Sequence, residues 1–369
     1  MKVRKENGIT IIALVITIIV LIILATITIN AVFGDNGLIK QAEYAKDLSS
    51  NSTESEYGEM NRLFDDYANM LEEDNEIPIE EEPSTVDEAK ESGEIFDDTT
   101  TIKDDLENEV TIPGGFHIAE DSGTKVEEGI VIEDDSGNQF VWIPVGEYKT
   151  TDEDEPTKTN SLTRRTFTSS EATEVSGDNV IAYFYGEGNE NSVAKDQIEE
   201  FKVSATTNKG FYIGRYEQGE NNVCKSGVNA YVSVTRDQAK TQAEAMYSGN
   251  EYVTSELISS YAWDTASNFI CQNSEEGYLL AITSDNAYGN IYTNAKTLTG
   301  EYEADNYCNI HDMLGNCFEW TTEYSSYNYN PCVTRGGHYF DSASWLTERN
   351  YYATNSNGVF ISFRVQLYM

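Results

Sequence analysis

Positive charge is scarce in this chain. Only 24 Lys and Arg stand against 64 Asp and Glu in 369 residues, a formal net charge of −40. A phosphate backbone must be met by clustered Lys and Arg, and the absence of any such cluster argues against nucleic-acid binding. Histidine is scarcer still, with His117, His311 and His338 making up the whole complement. No zincin helix and no Gly-x-Ser-x-Gly elbow accompanies them, so neither of those hydrolytic sites is available. Cysteine is missing before Cys224; with Cys271, Cys308, Cys317 and Cys332 it makes an odd number, so at least one lacks a partner within the chain. Cys308 and His311 are the one close pair of zinc-ligand type, whereas a structural zinc site wants four converging ligands. A paired-carboxylate glycosidase stays compatible with the sequence, because its two acids can come from anywhere in a fold.

Long apolar runs are also missing, with one exception. Ile9 to Ile29 is apolar apart from threonines, and no charge follows until Asp35. Such a run can cross a hydrocarbon core of roughly 30 Å as a helix. Lys2, Arg4 and Lys5 precede it, so the positive-inside rule puts the N-terminus in the cytoplasm and the rest of the chain outside. The expected order is a basic leader over 1–8, a membrane helix over 9–33, and an amphipathic stalk helix over 34–71 with Leu63, Phe64, Tyr67 and Leu71 at helical spacing. From Glu72 to Glu109 there are 17 Asp or Glu with Pro78 and Pro83 and few large apolar residues. Residues 72–110 are therefore expected to be a disordered acidic linker, unable to bury enough surface to fold alone.

Folding signals begin near Thr111 and define a mixed α+β domain over 111–369, large enough for its own core. Gly129–Ile132 and Gln139–Val145 flank a polar turn and predict a β-hairpin. Thr150 to Asp178 is polar and turn-rich, which predicts a loop. Strands are expected at Val180–Tyr185 and Phe211–Glu217, and helices over Thr235–Tyr247 and Ser255–Cys271. Trp142, Trp263, Trp320 and Trp345 have the character of core aromatics. Arg335 and Arg364 are expected to be buried and paired with carboxylates such as Asp264, Asp312 or Glu319. Outside the cell, disulfides are favoured among Cys271, Cys308, Cys317 and Cys332.

Two resemblances add to this reading. Lys5-Glu6-Asn7-Gly8 followed by Ile9-Thr10-Ile11-Ile12 resembles the start of type IV prepilins and pseudopilins, which implies cleavage between Gly8 and Ile9 and packing with other pilin-like subunits. The usual Glu at the fifth mature position is replaced by Ala13. Further on, Val141–Glu147, Phe211–Glu217, Trp263-Asp264, Asp312–Asn316 with Glu319-Trp320-Thr321, Thr334–Gly337 and Ser362–Val365 occur in the order of the formylglycine-generating, sulfatase-modifying enzyme family. The resemblance implies that family's C-type-lectin-like α+β fold, with Trp263, Asp312, Gly315, Asn316, Glu319, Trp320, Arg335, Gly336, Gly337 and Arg364 as its framework. It also implies a loop surface for ligands.

Oxidising members of that family carry two copper-binding cysteines just past the Arg-Gly-Gly segment. Asp341 and Leu346 occupy those positions here, and neither can replace a thiolate. Calcium is implied in loops upstream of the Gly-Asn motif, at Asp305 and Asn306. The Tyr-, Ser- and Asn-rich tracts around 324–330 and 350–357 have the composition of adaptable recognition loops. Tyr327, Tyr329, Tyr339, Trp345, Tyr351 and Tyr352 are the candidate ligand contacts. The expectation is a non-enzymatic, membrane-anchored surface protein that binds an extracellular glycan or protein. An enzyme of the same fold with a changed site, or a structural minor pilin, is the alternative.

Overall fold

A computed structural model of the chain describes residues 83–174, 189–282, 295–324, 329–339, 347 and 349–369. They belong to the compact unit Glu82–Met369. The expected leader, membrane helix, stalk helix and strand at 180–185, with Tyr327, Asp341, Trp345 and Leu346, fall on residues outside the described ones. Among those described, no helix is long and apolar enough to cross a membrane.

The unit starts inside the expected linker. Helix α1 (Val86–Ser92) opens on Thr85, whose side chain accepts from the Glu88 amide, and ends on left-handed Gly93. A hairpin follows, β1 (Thr100–Lys103) with β2 (Glu109–Ile112). The disordered-linker expectation is therefore corrected for 83–110. Except for buried Asp104 the acidic residues face out, while Val86, Ala89, Ile102, Val110 and Ile112 are buried, so a few apolar side chains suffice because they dock on a core already present. Asp104 fixes the hairpin turn from within, accepting from the amides of Leu106, Asn108 and Val126.

Strands β3 (Phe116–Ile118), β4 (Val131–Asp134) and β5 (Gln139–Pro144) come next, with β4 and β5 forming the expected hairpin. The stretch expected to be a loop carries β7 (Thr157–Asn160), which pairs with β6 (Gly146–Lys149) just before it, and the antiparallel pair β8 (Arg165–Phe167) and β9 (Ala172–Glu174). Its polar composition hid them, because buried Lys158, Asn160 and Arg165 are satisfied by hydrogen bonds rather than by apolar packing.

Helix α2 (Asn189–Thr207) presses Phe201 edge-on against Phe211, 5.1 Å between ring centroids, in β10 (Gly210–Gly214). Helix α3 (Arg236–Met246) has a reciprocal capping box between Thr235 and Gln238. The second expected helix splits. Thr254–Leu257 is strand β11, and α4 (Ser260–Asn273) starts only after Ser259 caps the Ala262 amide. Strands β12 (Phe318–Tyr324), β13 (Cys332–Arg335), β14 (Arg349–Tyr352), β15 (Ile361–Phe363) and β16 (Val365–Tyr368) complete the chain.

Two sheets carry the core. One is antiparallel in the order β11-β16-β10-β5-β4-β3; the other runs β14-β13-β12-β15, with β15 parallel to β12. Trp142, Trp263 and Trp320 are fully buried. All five cysteines are free thiols, so the expected disulfides are corrected; Cys271 sits in α4, Cys308 in a turn, Cys317 just before β12 and Cys332 in β13.

Candidate functional site

Strand β12 brings Glu319 beneath the loops. Its Oε1 accepts from Arg364 Nε at 2.9 Å and Nη2 at 2.7 Å, and its Oε2 accepts from Trp263 Nε1 at 2.9 Å. Arg364 also donates to the carbonyls of Gly214 and His311, so one buried cation ties β10, β12, the 311 turn and the link between β15 and β16. His311 stacks on Tyr216, and burial together with the Arg215 charge pushes its imidazole down to about 4.

A second network lies across the same sheet. Asp264 of α4 accepts from Arg335 Nη2 at 2.6 Å, Arg349 Nη2 at 2.7 Å and the Arg165 amide at 2.9 Å. Glu323 holds Arg349 Nε at 2.9 Å, and Arg335 lies over the Trp263 ring, 4.6 Å from its centroid. The pairings expected of Arg335 and Arg364 are thus made with Asp264 and Glu319. Asp312 takes a different partner.

Asp312 is buried in a left-handed turn at φ 58, and its Oδ2 accepts from the Gly300 amide at 2.7 Å. Glu217, just past β10, accepts from Asn316 Nδ2 at 2.6 Å and from the Cys317 amide at 2.8 Å. Asn316 Oδ1 in turn receives the Thr297 amide at 3.0 Å. Burial, with the charges of Glu319 and Glu301, pushes Asp312 up to about 6. Burial and the neighbouring Asp312 and Glu319 charges put Glu217 well above the carboxylate range. Sequence reading gave Glu217, Glu323, Arg349 and Arg165 no role. Glu217 did stand in the quoted Phe211–Glu217 motif.

The framework residues Trp263, Asp312, Asn316, Glu319, Arg335 and Arg364 meet in these networks. Trp320 donates instead to the Val234 carbonyl, and Gly336 turns the chain after β13 at φ 72. Gly315 turns it at φ 99 and Gly337 follows in irregular chain. Of the ligand candidates, Tyr329 is 90% and Tyr351 38% exposed, while Tyr352 packs on Trp320 and Phe360 and Tyr339 is buried. Asp305 is buried at the end of a short 3-10 helix, and Asn306 borders an open polar cleft of about 660 Å³. Glu127, Asp152, Lys158, Gln272 and Cys308 also line it. Lys158 is turned into the wall, donating to the Gln272 carbonyl at 2.7 Å. Among the described residues, no group of three or more His, Cys, Asp or Glu side chains is placed to hold a metal ion.

A family model described as Sulfatase-modifying factor enzyme 1-like domain matches residues 130–366. No curated protein matches the chain. PvdO from Pseudomonas aeruginosa is similar at 15% identity over 65% of this chain and 98% of its own, with a TM-score of 0.37. CarF is similar at 14% identity over 63% of this chain and 98% of its own, with a TM-score of 0.35. Treponema denticola variable protein 1 is similar at 13% identity over 44% of this chain and 85% of its own, with a TM-score of 0.32.

Proposed function

The chain belongs to the sulfatase-modifying factor enzyme 1-like domain family, and from that premise we propose that its folded unit is a recognition domain that performs no copper oxidation. The donor set carries this reading. A cuprous site that activates oxygen needs two thiolates, and the positions where related enzymes place them hold Asp341 and Leu346. A leucine side chain offers no donor at all. The cysteines the chain does have lie elsewhere, and burial raises the thiols of Cys224, Cys308, Cys317 and Cys332 above their ordinary range. With the copper ligands replaced, the fold's display surface is what remains for function: exposed Tyr329 and Tyr351 and the polar cleft beside Asn306.

The apolar run from Ile9 anchors this domain on the outer face of the membrane, and the Gly8–Ile9 junction is the processing site in this reading. Calcium is the metal that the family resemblance implies. Asp305 and Asn306 supply the oxygen donors a hard cation takes, and Asn306 Oδ1 is buried without a hydrogen-bond donor.

Copper titration of the full chain in detergent, with a cysteine-containing peptide as oxidisable substrate, tests the catalytic half. Stoichiometric copper with peptide oxidation overturns the proposal, and no turnover with capture of a glycan or protein in a ligand screen supports it. Mass spectrometry of the mature N-terminus tests the anchor: a chain beginning at Ile9 agrees with processing, and one retaining Met1 to Gly8 contradicts it.

A further inference from the structure

Two stretches of this strongly acidic chain carry no charge at all. No Asp, Glu, Lys or Arg lies between Glu323 and Arg335 or between Arg349 and Arg364, although such residues make up 24% of the sequence. The fold brings parts of both stretches together. Cys332 at the start of β13 pairs with Tyr352 at the end of β14, so the chain entering β13 and the chain leaving β14 meet at one end of the sheet. Tyr329, just before β13, is 90% exposed there. After Tyr352 the chain makes a loop over 353–359 whose base is closed by the Tyr352 and Phe360 rings, 6.5 Å between centroids. The Ser356 amide donates to the Ala353 carbonyl at 3.0 Å, and the Gly358 carbonyl accepts from the Ser233 and Ile361 amides, each at 3.1 Å. A loop pinned in this way gives up little further freedom when it binds.

The groups offered at this end are neutral. Thr354, Asn355 and Asn357 are exposed and make no side-chain hydrogen bond among the described residues. Their hydroxyl and amide groups both donate and accept. Tyr329 adds an exposed ring, and Val359, 59% exposed, an apolar side chain. From the neighbouring element, the charges beside Cys332 are Arg236, buried and donating to the Glu323 carbonyl, and Asp237, exposed at the start of α3.

These tracts give a charged ligand no counter-ion and a protein partner none of the charge pairs that steer docking. Size argues against a protein as well. A stable protein interface takes roughly 20–30 residues a side, and this end exposes a handful. A neutral sugar needs what is present: a ring face for the apolar side of a pyranose, and uncharged donors and acceptors for its hydroxyls. On the footing of the recognition role stated above, we propose that this end of the sheet binds a neutral glycan, with the Tyr329 ring stacked on one sugar and Thr354, Asn355 and Asn357 hydrogen-bonded to the glycan's hydroxyls.

Retention of the full chain, in a detergent that is not itself a glycoside, on immobilised neutral hexose and N-acetylhexosamine oligosaccharides tests this, with sulfated and amine-bearing oligosaccharides as charged arms. A neutral arm is expected to hold the chain equally at about 0.1 M and 1 M salt, where the screening length shrinks from roughly 10 Å to 3 Å. Tyr329→Ala is expected to weaken binding about two- to tenfold and Tyr329→Phe to keep it, because the ring and not the hydroxyl makes the stack. Asn355→Ala is expected to weaken it as well. Both positions are exposed, so near-ultraviolet circular dichroism is expected to stay that of the wild type. No retention on any neutral arm, retention confined to a charged arm, loss at high salt, or full retention by both alanine variants overturns the proposal. A chain that captures a protein but no sugar overturns the glycan and leaves the recognition role standing, whereas copper-dependent peptide oxidation overturns that role itself.

Discussion

Arg335 and Asp264 meet at 2.6 Å with neither side chain exposed to solvent. The contact joins β13 to α4, and the same carboxylate receives Arg349 from β14 and the Arg165 amide from β8. One acid on a helix thus anchors two arginines of the β14-β13-β12-β15 sheet. Removing it leaves two cations in a low-dielectric site with only Glu323 to share. Asp264→Ala is expected to cost about 3–5 kcal/mol, the usual result of breaking a buried pair from one side. Urea denaturation of the full chain measures it, and a loss below about 1 kcal/mol would show that the arginines find other partners.

The same carboxylate gives the unit an acid limit. Burial pushes Asp264 up, but the charges of Arg335 and Arg349 more than offset it and hold the carboxyl below its ordinary value. A depressed acid contributes stability that is present above its unfolded pKa of about 4 and is lost as pH falls toward the folded value. The gap in stability between wild type and Asp264→Asn is therefore expected to be widest near neutral pH and to close below about pH 4. A gap that stays constant down to pH 2 would show that the charge of Asp264 is not what stabilises. This trend is opposite in sign to that of Asp312, whose raised pKa makes its contribution fall as pH rises.

The order of motifs made the fold class readable, because Trp142, Trp263, Trp320, Arg335 and Arg364 are residues that a core of this kind must bury and pair. Apolar period and the Thr235 cap placed α3 well, since the cap immediately precedes the helix in sequence. What stayed hidden was long-range and polar. Glu217 meets Asn316, 99 positions away, and Asp264 meets Arg349 at a separation of 85; no local spacing announces such contacts. The segment 83–110 misled for the opposite reason. Its composition describes a chain that cannot fold alone, whereas its few apolar residues are buried in a core supplied by the rest of the unit. The start of Ser255–Cys271 was continuous with a helical pattern, and only pairing with β16 makes Thr254–Leu257 a strand.

Gly210 allows the closest backbone approach in the larger sheet. A Cβ there would stand 2.2 Å from the Trp142 ring, a fully buried side chain hemmed in by Tyr212 at 5.0 Å between ring centroids. The ring has no room to yield, so Gly210→Ala is expected to cost about 1–3 kcal/mol through overpacking. The change should appear as a lower denaturation midpoint with Trp fluorescence shifted to the red. An unchanged midpoint would mean that β5 and β10 separate without loss.

The thiols give the last test, and it bears on the compartment as well as on the fold. Four of the five cysteines are buried and Cys308 is half-buried at the cleft wall. A thiol reacts as its thiolate, and burial pushes Cys308 up to about 12, so at pH 8 only about one molecule in ten thousand is in the reactive form. Ellman's reagent on the native full chain, with no reductant present, is expected to label Cys308 slowly and the other four not at all. In denaturant all five should react at once. A count of three or one in denaturant would mean that one or two disulfides form, as an oxidising exterior favours. Cys308, Cys317 and their neighbours would then have to move together, and the left-handed turns at Cys308 and Asn309 are where the backbone would have to change first.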